Sequence, residues 1–445
     1  MRLRPLFLCC ALAASPALAA ADFAPAVKAD YDKHLQTLFL DFHRNPELSF
    51  KENRTAKVMA RELKAAGATV TEGVGGTGVV GVMKNGDGPV VLLRADMDGL
   101  PVEEKSGVPY ASTARQVGVD GVESPVMHAC GHDVHITSMV GTARRLAAMK
   151  DRWRGTVLFI VQPAEERVGG AKAMIADGLY TRFPKPDYAV AFHVNAGLAT
   201  GTMSAADQLM YSSADSVDIV VHGVGAHGAA PHTGKDPVYI GAQIVTALQS
   251  IVSREVGPLS PAVITVGAFH AGTKHNIISD RAELQLTVRA NDEATRRQLL
   301  TAIERMAKGI ARANGVAENQ LPEVKVSEGT PTTNNTPALS QRLRPALART
   351  LGEGVVVPFH QESMGAEDFT YFVQPGFGIQ GFYFQVGGTP RATLEAAKAG
   401  GPPVASHHSP LFKIDPEPSI RLGTEAMTAA VLELLGKGGA SAAQS

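Results

Sequence analysis

Two continuous apolar runs, TVLFIVQ (156–162) and YAVAFHV (188–194), constrain the fold of this chain more than any other feature. Strands that read as unbroken apolar segments are buried on both faces, which is the condition of a parallel or mostly parallel sheet covered by helices. Helical periodicity precedes these runs, over residues 52–66 with a stop at Gly67 and over residues 135–150. The segments GVVGVM and PVVLLR flank the turn NGDG and predict a hairpin. An open α/β sheet follows, and in such sheets ligands gather outside the carboxyl ends of the strands. Three runs here end in chemistry: Asp96 and Asp98 after VVLLR, Glu165 and Glu166 after TVLFIVQ, and His193 after YAVAF.

A second signal is MHACGHDVH, residues 127–135, with one cysteine and three histidines. The first twenty residues carry Arg2 and Arg4, an apolar stretch too short for an ordinary membrane span, and small residues near Ala19. They read as a secretory signal over 1–20, so an exported protein, periplasmic or secreted, is expected, with no membrane attachment after its removal. Cys9 and Cys10 would leave with that leader, and a single cysteine, Cys130, would remain. A lone thiol in an oxidising compartment is either an inert buried side chain or a thiolate held by a metal, and the flanking His128 and His132 favour the metal.

Cysteine, imidazole and carboxylate donors suit zinc or a similar divalent first-row ion. His132 is the better ligand of its segment, with His128 and His135 as supporting or packing residues, and the pair His407–His408 is available for a last ligand. Adjacent glutamates can divide the work: one holds a cation while the other takes a proton from water. The sequence also excludes alternatives. A formal net charge of -1 gives no electrostatic reason to expect nucleic acid. The glycines of GTGVVG (76–81) precede a strand rather than a helix, so they do not form a dinucleotide site. No G-x-S-x-G elbow of a serine hydrolase occurs.

From 212 to 326 the pattern becomes SVDIVVHG, a helix near 237–253, PAVITVGAFH, AELQLTVRA, a helix over 291–314, and PEVKVSE. That is a βαββαβ unit inserted into a larger domain whose helix–strand alternation resumes at Pro337. The expected division is a leader (1–20), a catalytic domain in two parts (21–211 and 327–436), the insertion (212–326) and a disordered tail (437–445).

RADMDGLP, MHACGHDVH, QPAEE, GAHGAAPH, GTKHNIISD, SMGAEDF and HHSPLF occur in this order. Together they resemble the peptidase M20 amidohydrolases, in the branch of hippurate hydrolase and the N-acyl-amino-acid and auxin-conjugate hydrolases, from about Asp30 to Leu435. The resemblance implies a large mixed-sheet, zinc-peptidase-like catalytic domain with an inserted lid and dimerisation domain. It implies two divalent ions per chain (Zn, Mn, Co or Ni) held by Cys130, His132, Glu166, His193 and His408, the last being the histidine directly before Ser-Pro. Glu165 would be the general base, and Asp98, ahead of Asp96, would orient a ligand from behind. His227 would reach a neighbouring active site and stabilise the oxyanion, Asn276 would assist, and Arg289 would clamp the substrate carboxylate. Without the resemblance, Arg289 is a strand residue facing solvent. The implied activity is hydrolysis of N-acyl amino acids by a homodimer. The rivals are a metallo-dipeptidase or carboxypeptidase and a binding protein without catalysis. Gly99 and Gly228 stand where family members often have alanine, and Asn195 where some carry histidine.

Overall fold

The computed structural model describes residues 23–437, so the expected leader and the tail beyond Lys437 lie outside the described residues. The strands that matter, in chain order, are β1 (Thr69–Val74), β2 (Gly78–Asn85), β3 (Val90–Asp96), β4 (Gly155–Gln162), β5 (Tyr188–Ala199), β6 (Met203–Ser204), β7 (Ser213–His222), β8 (Ala262–Ala271), β9 (Arg281–Ala290), β10 (Glu323–Thr330), β11 (Val356–Val357) and β12 (Gln380–Thr389). The principal helices are α1 (Asn53–Ala65), α2 (His132–Ala148), α3 (Pro237–Ser250), α4 (Glu293–Ala313), α5 (Pro337–Leu351) and α6 (Pro416–Leu435).

Eight strands form one mixed sheet in the order β1-β2-β4-β3-β5-β12-β6-β11. Its centre, β4-β3-β5-β12, is parallel, and β4 is buried along its whole length, as an unbroken apolar run requires. The expected hairpin between β2 and β3 does not form. β4 lies between them, antiparallel to β2 (Val79↔Val161) and parallel to β3 (Leu93↔Phe159). The NGDG turn instead carries the chain over the start of β4: the Asn85 side-chain amide donates to the Lys150 and Trp153 carbonyls, and Thr156 N–H donates to Pro89 O. Turn chemistry reports a reversal of direction and not which strand fills the space beside it.

The site is located by where pairing stops. β3 and β5 are in register only as far as Arg94↔Ala191, while β5 runs on beside β12 to Ala199. His193 therefore sits within β5 rather than at its end, at the point where its neighbour on the β3 side has departed. A crevice opens there, at the carboxyl edge of the sheet.

The inserted segment forms an antiparallel sheet of its own, ordered β8-β9-β7-β10, with the last strand running to Thr330, beyond the expected 326. Val217, Ile219 and Val221 alternate inward on β7, and Leu284, Leu286 and Val288 do so on β9. They meet Ile240, Ile244 and Leu248 of α3 and Leu299, Ile303 and Ala307 of α4, spaced by four residues along the helices. This apolar cluster is separate from the one under the large sheet.

Candidate metal centre

Cys130 ends the segment before α2, and Gly131 turns the chain into the helix with φ +86°. A Cβ on Gly131 would lie 2.4 Å from Val194 Cγ1, so only glycine lets the cysteine loop approach β5 this closely. Glu165 and Glu166 occupy a tight turn after β4, bracketed by Ala164 and Val168, which both have positive φ. His408 also has positive φ, at 65°, and its backbone N–H donates to Ala129 O, which ties the C-terminal segment to the cysteine loop. Among the described residues only one other non-glycine, Phe50, has positive φ, so backbone strain is concentrated at this crevice.

Asp98 holds the glutamate turn in place. Its carboxylate accepts the backbone N–H of Glu165 and of Glu166, each at 3.1 Å, and the Ser49 hydroxyl at 2.7 Å. Its backbone carbonyl accepts from His132 Nδ1 at 2.9 Å. With that nitrogen protonated, the lone pair of His132 is on Nε2, which is buried and has no hydrogen-bond partner. Nε2 lies 3.8 Å from Glu166 Oε1 and 3.6 Å from Asp96 Oδ2. His193 repeats the arrangement: Nδ1 donates to Val194 O at 2.7 Å, and Nε2 faces Cys130 Sγ at 3.3 Å. His408 Nε2 is 3.4 Å from Glu166 Oε2.

His407 and His135 spend their lone pairs on the protein. His407 Nε2 accepts from Ala196 N–H at 3.2 Å, so its Nδ1 carries the proton and points it at Cys130 Sγ, 3.7 Å away. His135 donates from Nδ1 to Asp96 at 2.5 Å and accepts Val194 N–H on Nε2 at 2.9 Å, leaving nothing for a ligand. His128 is buried with neither ring nitrogen partnered, and burial pushes its pKa down to about 4.

The electrostatics have one origin. Burial, with Glu367, Glu166 and Asp368 nearby, pushes the Glu165 carboxyl well above the usual range. Burial likewise raises Glu166 to about 8, against the pull of His132 and with Asp98 and Asp96 adding to it. Burial, with Glu166, Glu165 and Asp96 nearby, pushes the Cys130 thiol up. For His132, burial opposes charging, yet Asp96 and Asp98 outweigh it and raise the imidazole to about 10. Negative charge is collected in a buried place beyond what the local cations balance, and either protons or bound cations must make up the difference. An unpartnered His132 Nε2, an unpartnered Glu166 Oε1 and a facing thiol are donors that fit divalent cations.

Arg94 is a residue the sequence reading passed over. It is fully buried within β3 and donates from Nε to Gln162 at 2.8 Å, from Nη1 to Asp96 at 2.6 Å, and from Nη2 to Glu367 at 2.6 Å and Asp368 at 3.2 Å. One guanidinium thus joins the ends of β3 and β4 to the AEDF segment beneath Glu165. An arginine inside VVLLRAD was the available signal, since a charge in a doubly buried strand needs partners.

A cleft of about 860 Å³ opens over Cys130, Glu165, Glu166, His193 and His408, with Tyr211, Phe359 and Gln385 on its walls. Arg289 lines its far side from β9, half-buried, with Nε donating to Thr287 Oγ1 at 3.1 Å. It does not face open solvent as a strand reading alone suggests. His227 and Asn276 are not part of this cleft. Both are exposed, His227 on a two-strand ladder of Ala226–His227 against Ile277–Ile278 and Asn276 just before its second strand, where Gly228 N–H donates to Asn276 O. His227 Nδ1 accepts from Ala229 N–H, so its Nε2 carries a proton directed away from its own backbone.

Comparison with known proteins adds an independent line. The model of the family described as "Peptidase family M20/M25/M40" matches residues 92–432. Hippurate hydrolase of Campylobacter jejuni is 40% identical over 335 residues, covering 75% of this chain and 83% of that protein. Thermostable carboxypeptidase 2 of Saccharolobus solfataricus is 39% identical over 350 residues, covering 78% and 83%. The solved structure of Bacillus subtilis YXEP, a dinuclear metal binding peptidase from the M20 family, superposes with a TM-score of 0.72 at 29% identity, covering 92% of this chain and 99% of that one. A match across most of the chain, together with this site, shows that the chain belongs to peptidase family M20/M25/M40.

Proposed function

We propose that the chain is a metal-dependent amidohydrolase that cleaves the amide bond of N-acyl amino acids, such as N-acetyl or N-benzoyl derivatives. The observation that carries this reading is the division of the glutamate pair. Glu166 faces His132, His408 and Cys130, whereas Glu165 stands beside it over the Glu367–Asp368 carboxylates, and both backbones are fixed by Asp98. Two divalent ions, Zn, Mn, Co or Ni, would be held by Cys130, His132, Glu166, His193 and His408. When bound, they would polarise the scissile carbonyl and lower the pKa of water toward about 7.

The chain's own residues supply the rest. Glu165 takes a proton from the attacking water and passes it to the leaving amine as the C–N bond breaks, so the products are a carboxylate and an amino acid. Asp98 keeps Glu165 and Glu166 in register with His132 through three hydrogen bonds to backbone and ring. Arg289, which lines the cleft wall, would pair with the substrate carboxylate. The outward Nε2–H of His227 is consistent with service to a partner's cleft, so we include in the proposal a homodimer formed through the inserted domain, which also acts as a lid. Export to a periplasm or beyond is part of the same reading.

The test is a substrate panel on the metal-loaded protein. Release of free amino acid from N-acetyl- and N-benzoyl-amino acids should exceed hydrolysis of plain dipeptides. Turnover of dipeptides alone would instead favour the carboxypeptidase side of the family, for which the relative from Saccharolobus solfataricus is the specific reason. No turnover of either class would leave only a binding role.

A further inference from the structure

We propose that Tyr211 is a further catalytic residue, whose hydroxyl donates a hydrogen bond to the scissile carbonyl oxygen as that oxygen becomes an oxyanion. This rests on the amidohydrolase reading above and adds a donor from the same chain as Glu165.

Hydrogen-bond polarity fixes which end of each side-chain amide faces the phenol. The Gly197 backbone N–H has only a proton to give, and it gives it to Asn195 Oδ1 at 2.7 Å. The other end of the Asn195 amide is therefore its NH₂, which donates to Gln385 Oε1 at 2.9 Å. That orients the Gln385 NH₂ toward Tyr211, whose oxygen lies 3.3 Å away. An NH₂ group cannot accept, so the Tyr211 oxygen accepts and its own proton must point elsewhere. Among the described residues nothing accepts that proton. A single backbone amide thus fixes the direction of the whole chain, with no freedom left for either side-chain amide to flip.

Where the proton points is set by packing. Tyr211, Gln385 and Asn195 all line the cleft that holds Cys130, Glu165 and His193. Gln385 stands opposite His193 in the parallel register of β5 and β12, so the relay runs alongside a metal-site histidine. The Tyr383 ring packs edge-on against Tyr211 at 5.4 Å between centroids, which restricts its swing. A phenol with an ordinary pKa of about 10 carries its proton at neutral pH. A fixed, protonated, unspent donor beside the reacting groups is the requirement for oxyanion stabilisation.

Tyr211→Phe removes only the oxygen and its proton, and the ring contact with Tyr383 remains. In the metal-loaded protein we expect kcat on an N-acyl amino acid to fall roughly 10²-fold with KM within about twofold. The affinity of a phosphinate mimic of the tetrahedral state, measured by calorimetry, should fall by a similar factor. Melting temperature and metal content should match the unmutated protein, which a merely structural role would not separate from the rate. Unchanged kcat, a rise in KM alone, or undiminished phosphinate binding would overturn the assignment. The unmutated protein is assayed first. If it hydrolyses no N-acyl amino acid, the proposed function falls and this assignment with it, whereas full activity in Tyr211→Phe overturns this assignment alone.

Discussion

Replacing Glu165 with Gln is expected to lower kcat by roughly 10²- to 10⁴-fold while leaving metal content unchanged. The amide is nearly isosteric with the carboxylate but cannot take a proton from water. The hydrogen bond from residue 165 to Asp98 is made by backbone N–H, so the turn keeps its place. Glu166, which faces His132, His408 and Cys130, is untouched. Folding should not suffer, because Glu165 sits in burial among Glu367, Glu166 and Asp368 and contributes repulsion there. Steady-state kinetics beside elemental analysis separates the two readouts. Near-normal turnover would remove Glu165 from the mechanism, and loss of metal together with activity would make it a ligand instead of the base.

Replacing Arg94 with Met is expected to cost about 3–5 kcal/mol of stability, the range for deleting one partner of a buried ion pair. The guanidinium serves Gln162, Asp96, Glu367 and Asp368 at once, and methionine fills much of its volume without serving any of them. Arg94→Lys should fall between the two proteins, since a point charge cannot reproduce the planar fork. The pH dependence follows from Asp96. Burial alone would raise its pKa, but Arg94, His132 and His135 hold it well below the carboxylate range. Its contribution is therefore present above about pH 3.8 and is lost as pH falls through the lower folded value. The stability gap between Arg94→Met and the unmutated protein should narrow as the solution is made more acidic than pH 4. Denaturant midpoints at constant m-value measure this, and a gap below 1 kcal/mol at neutral pH would show that the cluster is held by something other than Arg94.

How much of this was legible in the sequence depended on whether the determining physics was local. Unbroken apolar runs gave the buried parallel strands, and the residues after them gave Asp98, Glu165 and Glu166, because strand burial and strand exit are written in consecutive residues, whereas His193 lies inside its strand, which runs on to Ala199. The alternation in SVDIVVHG and AELQLTVRA gave the small sheet for the same reason. The β2–β3 hairpin was misread because β4, some sixty residues later, takes the place beside both strands. The roles of His407 and His408 diverge through a single backbone donor, Ala196 N–H, which no spacing rule reveals. Arg94, Glu367 and Asp368 come together only when β3 meets a segment 273 positions away. The relay from Gly197 to Tyr211 likewise depends on the parallel register of β5 with β12. His227 and Asn276, which the resemblance assigned to a site, lie outside their own chain's cleft.

We propose that this crevice hydrolyses acyl amides through divalent cations held by Cys130, His132, Glu166, His193 and His408. The most direct measurement is titration of the chelator-stripped chain with Zn, Mn, Co or Ni while following release of amino acid from an N-acyl substrate. Activity should be absent from the stripped protein and should rise with added metal to a plateau at two equivalents per chain. Undiminished release of amino acid after metal has been removed to below a tenth of an equivalent would contradict the account.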